Sequence, residues 1–280
     1  MGADEVIEHE SSGHTEETPG GRRLRDKMAV RWGIRIADKS VIVVMTALLT
    51  LLAQGIIVAL DVPDYTLPSP WETLQALYNQ FGSTLGPDMK TTLIELAIGL
   101  SAGLALGLVL GAWIADSRVA QRLVAPYVVA LVSTPLIIFA PLFALWLGFG
   151  LWSKVVMIIL MTFGPMAVNA IQGFQALDND KYELMRSLCA NRWEIATKAR
   201  FPSAAPYLFS GMKISAVLSV IAVVVAEFIG SQSGLGHTVY YAQTVNQTDL
   251  LMAAALLLVA IGLFLFYGID WVASKVVYWQ

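Results

Sequence analysis

Residues 91–114 read TTLIELAIGLSAGLALGLVLGAWI. The stretch carries one charge, Glu95, and four glycines at intervals of four: Gly99, Gly103, Gly107 and Gly111. A hydrocarbon core about 30 Å thick is crossed by about 20 apolar residues in a helix. The segment therefore reads as a transmembrane helix. Spacing by four puts the glycines on one ridge, where another helix can approach closely. Such a ridge packs either within one chain or against a second copy, and both readings stay open at this point.

Five further runs of similar character lie around it, at residues 40–60, 122–147, 154–174, 207–229 and 250–272. Hydrophobic residues make up 56% of the 280 and charged residues 14%, against about 45–50% and about 25% in soluble domains. Mean hydropathy is +0.64. The expected fold is all-α: a polytopic membrane protein with about six transmembrane helices and a folded cytoplasmic loop. A net charge of −3 argues against a nucleic-acid binder. A single cysteine, Cys189, excludes an internal disulfide and a cysteine-rich metal site. Pro126, Pro135 and Pro141 interrupt the third run. Proline removes a backbone donor, and the freed carbonyls need partners inside the protein. That span is expected to be broken and packed within the bundle.

Residues 1–21 hold six acidic residues and no Lys or Arg. They read as a disordered acidic tail with no signal-peptide pattern. Residues 22–39 form a basic juxtamembrane segment, and residues 40–280 a membrane domain containing a loop at 175–206. Lys and Arg concentrate before the first span, after the second and after the fourth. The positive-inside rule then puts both termini in the cytoplasm. Lys90 and Lys154 fall on the outer side, at span edges, and Lys213 lies near the inner end of the fifth span.

Polar groups inside spans prompt functional readings. Glu95 and Glu227 lie toward the outer ends of their spans. Each is either hydrated at the interface or part of a solute pathway or gate. Ser133, Thr134 and Pro135 sit mid-span in the broken run and are pathway candidates, with interhelical hydrogen bonding as the alternative. Asn169 and Gln172 read as interhelical hydrogen-bonding groups. His237 reads as a lone residue of an outer loop.

The loop after the fourth span contains Asp180 and, three residues on, Glu183, a spacing that resembles a capping box. Tyr182, Met185 and Cys189 then share a helical face, with Leu188 beside them. A second short helix is expected near Arg192, and Pro202 and Pro206 are expected to end the structure before the fifth span. The loop is too short to make its own core, so its apolar face wants a partner groove.

This loop resembles the cytoplasmic signature of permease subunits of bacterial ABC importers: Glu-Ala-Ala, three residues, Gly, nine residues, Ile-x-Leu-Pro. Glu183 takes the Glu position, Leu184 and Met185 replace the alanines, and Cys189 replaces Gly. Ala199 replaces Ile, while Phe201 and Pro202 hold the last two places. From about residue 67 onward the chain is similar to the nitrate/sulfonate/taurine branch, which includes pyrimidine-precursor and riboflavin importers. Landmarks are Leu67, Pro68, Ser69 and Pro70; Thr92 to Glu95 with Gly99; Ala140, Pro141 and Leu142; and Trp146 to Gly150 with Lys154. Phe201, Pro202, Pro206, Gly211, Ala226, Glu227, Gly234, Leu235 and Gly236 continue the series.

The resemblance implies a type I importer fold, with two permease copies around one translocation route. Two copies of an ATP-binding subunit would dock on the loop through Tyr182, Glu183, Leu184, Met185, Leu188, Cys189 and Pro202. Glu183 either contacts that subunit or merely caps its helix, and Cys189 reads as a small packing residue. An extracytoplasmic solute-binding protein would dock on the outer segments, residues 63–87 and 230–249. The location implied is the bacterial inner membrane, in contact with lipid. No G-x-x-x-x-G-K-[ST] motif occurs in the chain, so no cofactor is expected here and ATP with Mg belongs to the partner. The chain is then no enzyme. An ion-coupled secondary transporter or channel would want mid-depth charges or repeated halves, and an intramembrane enzyme a His/Glu/Asp cluster. Neither pattern is seen. Glu95 near the outer mouth favours a pyrimidine-precursor or riboflavin-like solute over a sulfonate, because like charges repel.

Overall fold

The computed structural model describes residues 68–278 and, ahead of them, Gly55 alone. The acidic tail, the basic segment and the expected span at 40–60 lie outside the described residues. Helix α1 (Pro70–Gln80) starts at a capping box in which Ser69 and Glu72 exchange side-chain and backbone hydrogen bonds. A π turn leads into α2 (Gly86–Asp116), 31 residues long and therefore about 46 Å. Ser117 caps the short α3 (Arg118–Leu123), and α4 (Ala125–Val132) follows. The chain then breaks at Ser133, Thr134 and Pro135 before a 3-10 turn and α5 (Ala140–Leu147). Next come α6 (Leu151–Gln175), α7 (Asn179–Ser187), α8 (Arg192–Ile195) and α9 (Phe201–Gly230). Helices α10 (Leu235–Thr244) and α11 (Thr248–Val276) complete the described residues.

The glycine ridge sets the main packing. Gly99 faces Ile158, Gly103 faces Thr162, Gly107 faces Met166 and Gly111 faces Ala170, all on α6 of the same chain. A Cβ on Gly99 would lie 2.6 Å from Ile158 Cβ, and one on Gly111 2.6 Å from Ala170 Cβ. Only glycine permits this approach. Both numbers in each pair rise together, so α2 and α6 are parallel. Between them lie α4 and α5, an apolar helix pair bent by 83° at the break, long and apolar enough together to form one broken span. Helices α2, α6, α9 and α11 are each long and apolar enough to cross a membrane, which makes four such helices among the described residues, or five spans with the bent pair. Helix α9 runs antiparallel to α6: Gly211 meets Asn169, Gly173 meets Ala204 and Tyr207, and the Ser215 hydroxyl donates to the Thr162 carbonyl at 2.9 Å. Helix α11 runs back along α9, where Lys213 pairs with Asp270 at 2.8 Å.

Several expectations change. The broken span is not buried: Tyr127, Val129, Ile138, Leu145 and Trp146 are all exposed, because only one side of α4 and α5 reaches α6. Pro202 and Pro206 do not end the loop. Pro202 occupies the first turn of α9 and Pro206 lies inside that helix; a π turn at Ala196–Arg200 absorbs the change of register. Residues 230–249 are not an open loop, because α10 buries Leu235, Gly236, Thr238 and Ala242. His237 belongs to that helix, its ring stacked on Tyr241. Asn169 bonds within α6, to the Pro165 carbonyl at 2.8 Å, and not between helices. Gln172 is exposed.

Candidate functional site: the loop helix and a buried ion cluster

At one end of the bundle, α7 carries an amphipathic surface with no residue of its own buried. Its cap is Asp178, whose side chain accepts from the Asp180 N–H at 3.2 Å. Asp180 and Glu183 do not form the expected box; the loop's box joins Asn191 and Glu194, at the start of α8. The reason is local: Asp178 leaves the helical region while Asp180 is already in the first turn. Tyr182, Glu183, Leu184 and Leu188 are exposed and Met185 is half-buried. Met185 and Pro202, with Lys181, Lys198, Ser203 and Tyr207, line a groove of about 540 Å³ between the loop and α9.

Cys189 does not share the α7 face. The helix ends at Ser187, and Cys189 is exposed with φ +57°. The Cys189 N–H donates to the Arg186 carbonyl and the Ala190 N–H to the Met185 carbonyl. This is a Schellman stop with Cys189 at the left-handed position, which favours glycine. It gives a physical reason for the glycine of the signature, and Cys189 is not a packing residue. A side chain in that conformation costs about 1–2 kcal/mol. Cys189→Gly is expected to stabilise the loop helix by about 1 kcal/mol, seen as a several-fold slowing of amide exchange across α7. Unchanged or faster exchange would refute the strain.

Arg200 fastens the loop to the bundle. Its Nη1 lies 2.5 Å from Asp116 at the end of α2. Its Nε donates to the Phe174 carbonyl at 3.1 Å, and the guanidinium lies 5.6 Å from the Phe174 ring centre. One side chain thus ties the ends of α2 and α6 to the start of α9.

The opposite end holds a buried ionic cluster. Lys154 Nζ donates to Glu95 Oε1 at 2.6 Å, with both side chains at most 5% exposed. The Thr92 hydroxyl donates to Glu227 Oε1 at 2.7 Å and accepts from the Leu235 N–H at 2.9 Å. The Gly236 N–H donates to Glu227 Oε2 at 2.6 Å. Asp88 accepts from the Gly234 N–H at 2.9 Å and from the Thr238 hydroxyl. Gly234 has φ +111°, and a Cβ there would fall on the Glu227 carboxylate. The cluster closes α2, α6, α9 and α10 on one another.

Glu95 and Glu227 are therefore not hydrated at an interface; each is 1% exposed. Lys154, in the first turn of α6, is buried with them. The charge of Glu95 is met inside the protein, so it gives no argument against an anionic solute. Lys154 was the available signal, an opposite charge on a neighbouring span. Ser133 and Thr134 are exposed at the break, where their hydroxyls bond to the Val129 and Ala130 carbonyls of the preceding turn. Thr134 and Pro135 border a cavity of about 190 Å³ against α6.

These features define a polytopic helical membrane protein with a parallel, glycine-packed pair of spans, a broken crossing between them and a structured loop at one end. Residues 103–278 match the family of binding-protein-dependent transport system inner membrane components. The chain belongs to that family, as a permease component of an ABC importer. It is 30% identical to a probable ABC transporter permease protein of Haemophilus influenzae, over 77% of this chain and 88% of that one. It is 30% identical to the formylaminopyrimidine transport permease protein ThiX of Halalkalibacterium halodurans, over 62% and 69%. The taurine transport system permease protein TauC of Escherichia coli is 24% identical over 76% and 80%. Among solved structures, an amino acid ABC transporter shares the fold with a TM-score of 0.56 and 16% identity, over 72% of this chain and 97% of that chain. The MetNI methionine ABC transporter, facing inward, matches with a TM-score of 0.52 and 20% identity, over 75% and 98%.

Proposed function

We propose that two copies of this chain enclose one translocation route and that each couples it to a separate ATPase through α7. ATP and Mg are bound by that ATPase, and both termini of this chain face the cytoplasm. The observation that carries the reading is α7 itself: a capped nine-residue helix with Tyr182, Leu184 and Leu188 exposed. An apolar surface on so short a helix is suited to a partner groove. Arg200 supplies the rigid link by which movement of the loop reaches α2, α6 and α9. ATP-driven approach of the two loops then biases the spans between inward- and outward-open states.

Ser133, Thr134 and Pro135 flank the route, where the broken backbone offers polar groups at mid-depth. Glu95 and Glu227 brace the outer end as members of the buried cluster. An extracytoplasmic binding protein delivers the solute to the outer face and supplies most of the selectivity. The names of the relatives span a pyrimidine precursor, riboflavin, sulfonates, taurine and nitrate. A small solute of that range is the cargo.

The test is co-purification from membranes with the products of the neighbouring genes. A nucleotide-binding subunit recovered in equal amount, with vanadate-sensitive hydrolysis, is the expected result. Glu183→Ala and Pro202→Ala are expected to lower the binding-protein-stimulated hydrolysis at least about tenfold, as loss of about 1.4 kcal/mol of docking would, with membrane insertion intact. Wild-type stimulation in both variants would remove the loop from the mechanism.

A further inference from the structure

The groove between the loop and α9 has a chemistry that docking of an ATPase does not use. Its polar lining is Lys181, Lys198, Ser203 and Tyr207, and among the described residues no carboxylate lines it. The remaining walls are apolar, with Leu177, Met185 and Pro206 among them. Lys181 and Met185 stand four residues apart on α7, hence on one side of it. Tyr182, Glu183 and Leu188, proposed above to meet the ATPase, are outside the lining, while Leu184 borders both surfaces. Lys198 meets Glu194 in an exposed pair at 3.4 Å, and such a pair holds its ammonium weakly. Lys181 makes no salt bridge among the described residues.

Position supplies a second constraint. Helix α6 ends at Gln175, and Ala176 and Leu177 of the groove follow it directly. Pro202, Ser203, Pro206 and Tyr207 belong to the first two turns of α9, where its apolar run begins. The groove therefore lies where both spans leave the hydrocarbon, at the level of lipid headgroups. Tyrosine is enriched at that level, and basic pockets between helices on the cytoplasmic side take anionic headgroups. The volume of about 540 Å³ falls in the range of small-molecule sites and exceeds what an inorganic anion fills.

We propose that this groove holds the headgroup of one anionic glycerophospholipid of the cytoplasmic leaflet. The phosphate lies between the Lys181 and Lys198 ammonium groups, and the Ser203 and Tyr207 hydroxyls donate to headgroup oxygens. Leu177, Met185 and Pro206 cover the glycerol and the first methylenes. An ethanolamine headgroup is disfavoured, because its own ammonium would face two lysines with no carboxylate in the lining to meet it. The bound lipid bridges α7 and α9, so the seating of the loop depends on membrane composition. The assignment rests on the reading that this end of the bundle faces the cytoplasm.

Native mass spectrometry of the purified full-length chain, titrated with phosphatidylglycerol or phosphatidylethanolamine of matched acyl chains, tests this. The wild type is expected to retain one phosphatidylglycerol per chain, at least about tenfold more tightly than phosphatidylethanolamine. Lys181→Gln with Lys198→Gln is expected to weaken phosphatidylglycerol about thirtyfold, each lysine at an anionic surface being worth about fivefold. Phosphatidylethanolamine is expected to bind that variant as it binds the wild type. Both lysines are exposed, so the substitutions leave the packed bundle intact. Lys90→Gln with Lys275→Gln removes the same charge at exposed positions outside the groove and is expected to leave both lipids at wild-type affinity. Equal affinity of the wild type for the two lipids, or an equal loss in the two double variants, overturns the proposal. So does binding of free glycerol phosphate as tight as that of the lipid, which would mark a site for a soluble anion. Orientation is tested separately with a membrane-impermeant maleimide on Cys189, the single cysteine and an exposed one. Labelling is expected only from the cytoplasmic side; labelling from outside overturns the orientation, and with it the leaflet, whatever the titration gives.

Discussion

Lys154→Met is expected to lower the thermal midpoint of the protein by about 10 °C at mildly alkaline pH. Among the described residues Lys154 is the only cation bonded to Glu95, and both are buried in the bundle. Removing one partner of a buried pair leaves an uncompensated charge and costs about 3–5 kcal/mol. For a domain of this size each kcal/mol moves the midpoint by about 2–4 °C. Methionine matches the lysine stem in volume, so the loss reports charge and not packing. The double variant Glu95→Met with Lys154→Met removes both charges and is expected to recover most of the midpoint. Melting followed by size-exclusion chromatography in detergent reads all three proteins. A single variant within about 2 °C of wild type would show that the pair is hydrated in solution, contrary to its burial.

The second large effect belongs to the glycine ridge. At Gly107 a Cβ would meet the Phe163 carbonyl, Met166 Cβ and, at 3.1 Å, the Ala167 nitrogen. Two of these are backbone atoms and cannot move aside by a change of rotamer. Gly107→Leu must therefore push α2 from α6, loosening Gly99 against Ile158 and Gly111 against Ala170 as well. Overpacking costs about 1–3 kcal/mol at a single site, and a rigid helix pair places this one at the upper end, about 3 kcal/mol. The control is Gly268→Leu on α11, where no atom lies within 4 Å of the added Cβ. That change is expected to leave the midpoint unaltered. Equal effects at the two positions would refute the within-chain ridge. Loss of the assembled dimer with an unchanged monomer midpoint would place the ridge between copies instead.

Much of the architecture was legible because membrane insertion is local. Length and apolar content decide whether a segment spans, so residues 91–114, 154–174, 207–229 and 250–272 lie within α2, α6, α9 and α11. The prolines at 126, 135 and 141 announced the broken crossing for the same reason. The loop helix was legible from its spacing. Its cap was not, since Asp178 and Asp180 are equally plausible caps until the backbone shows which one leaves the helix.

The sequence by itself determined the class of this protein, four of its long apolar helices, its folded loop and its family resemblance, because each depends on residues within a few turns of one another. Only the tertiary structure decided the partners. Lys154 and Glu95 stand 59 residues apart and Thr92 and Glu227 135, and no periodicity within a segment connects such pairs. Side chains at the end of a span look alike whether lipid headgroups, water or a neighbouring helix surrounds them. The parallel course of α2 and α6 changes that surrounding. It buries a lysine and two glutamates in one corner, where each must find its partner within the protein.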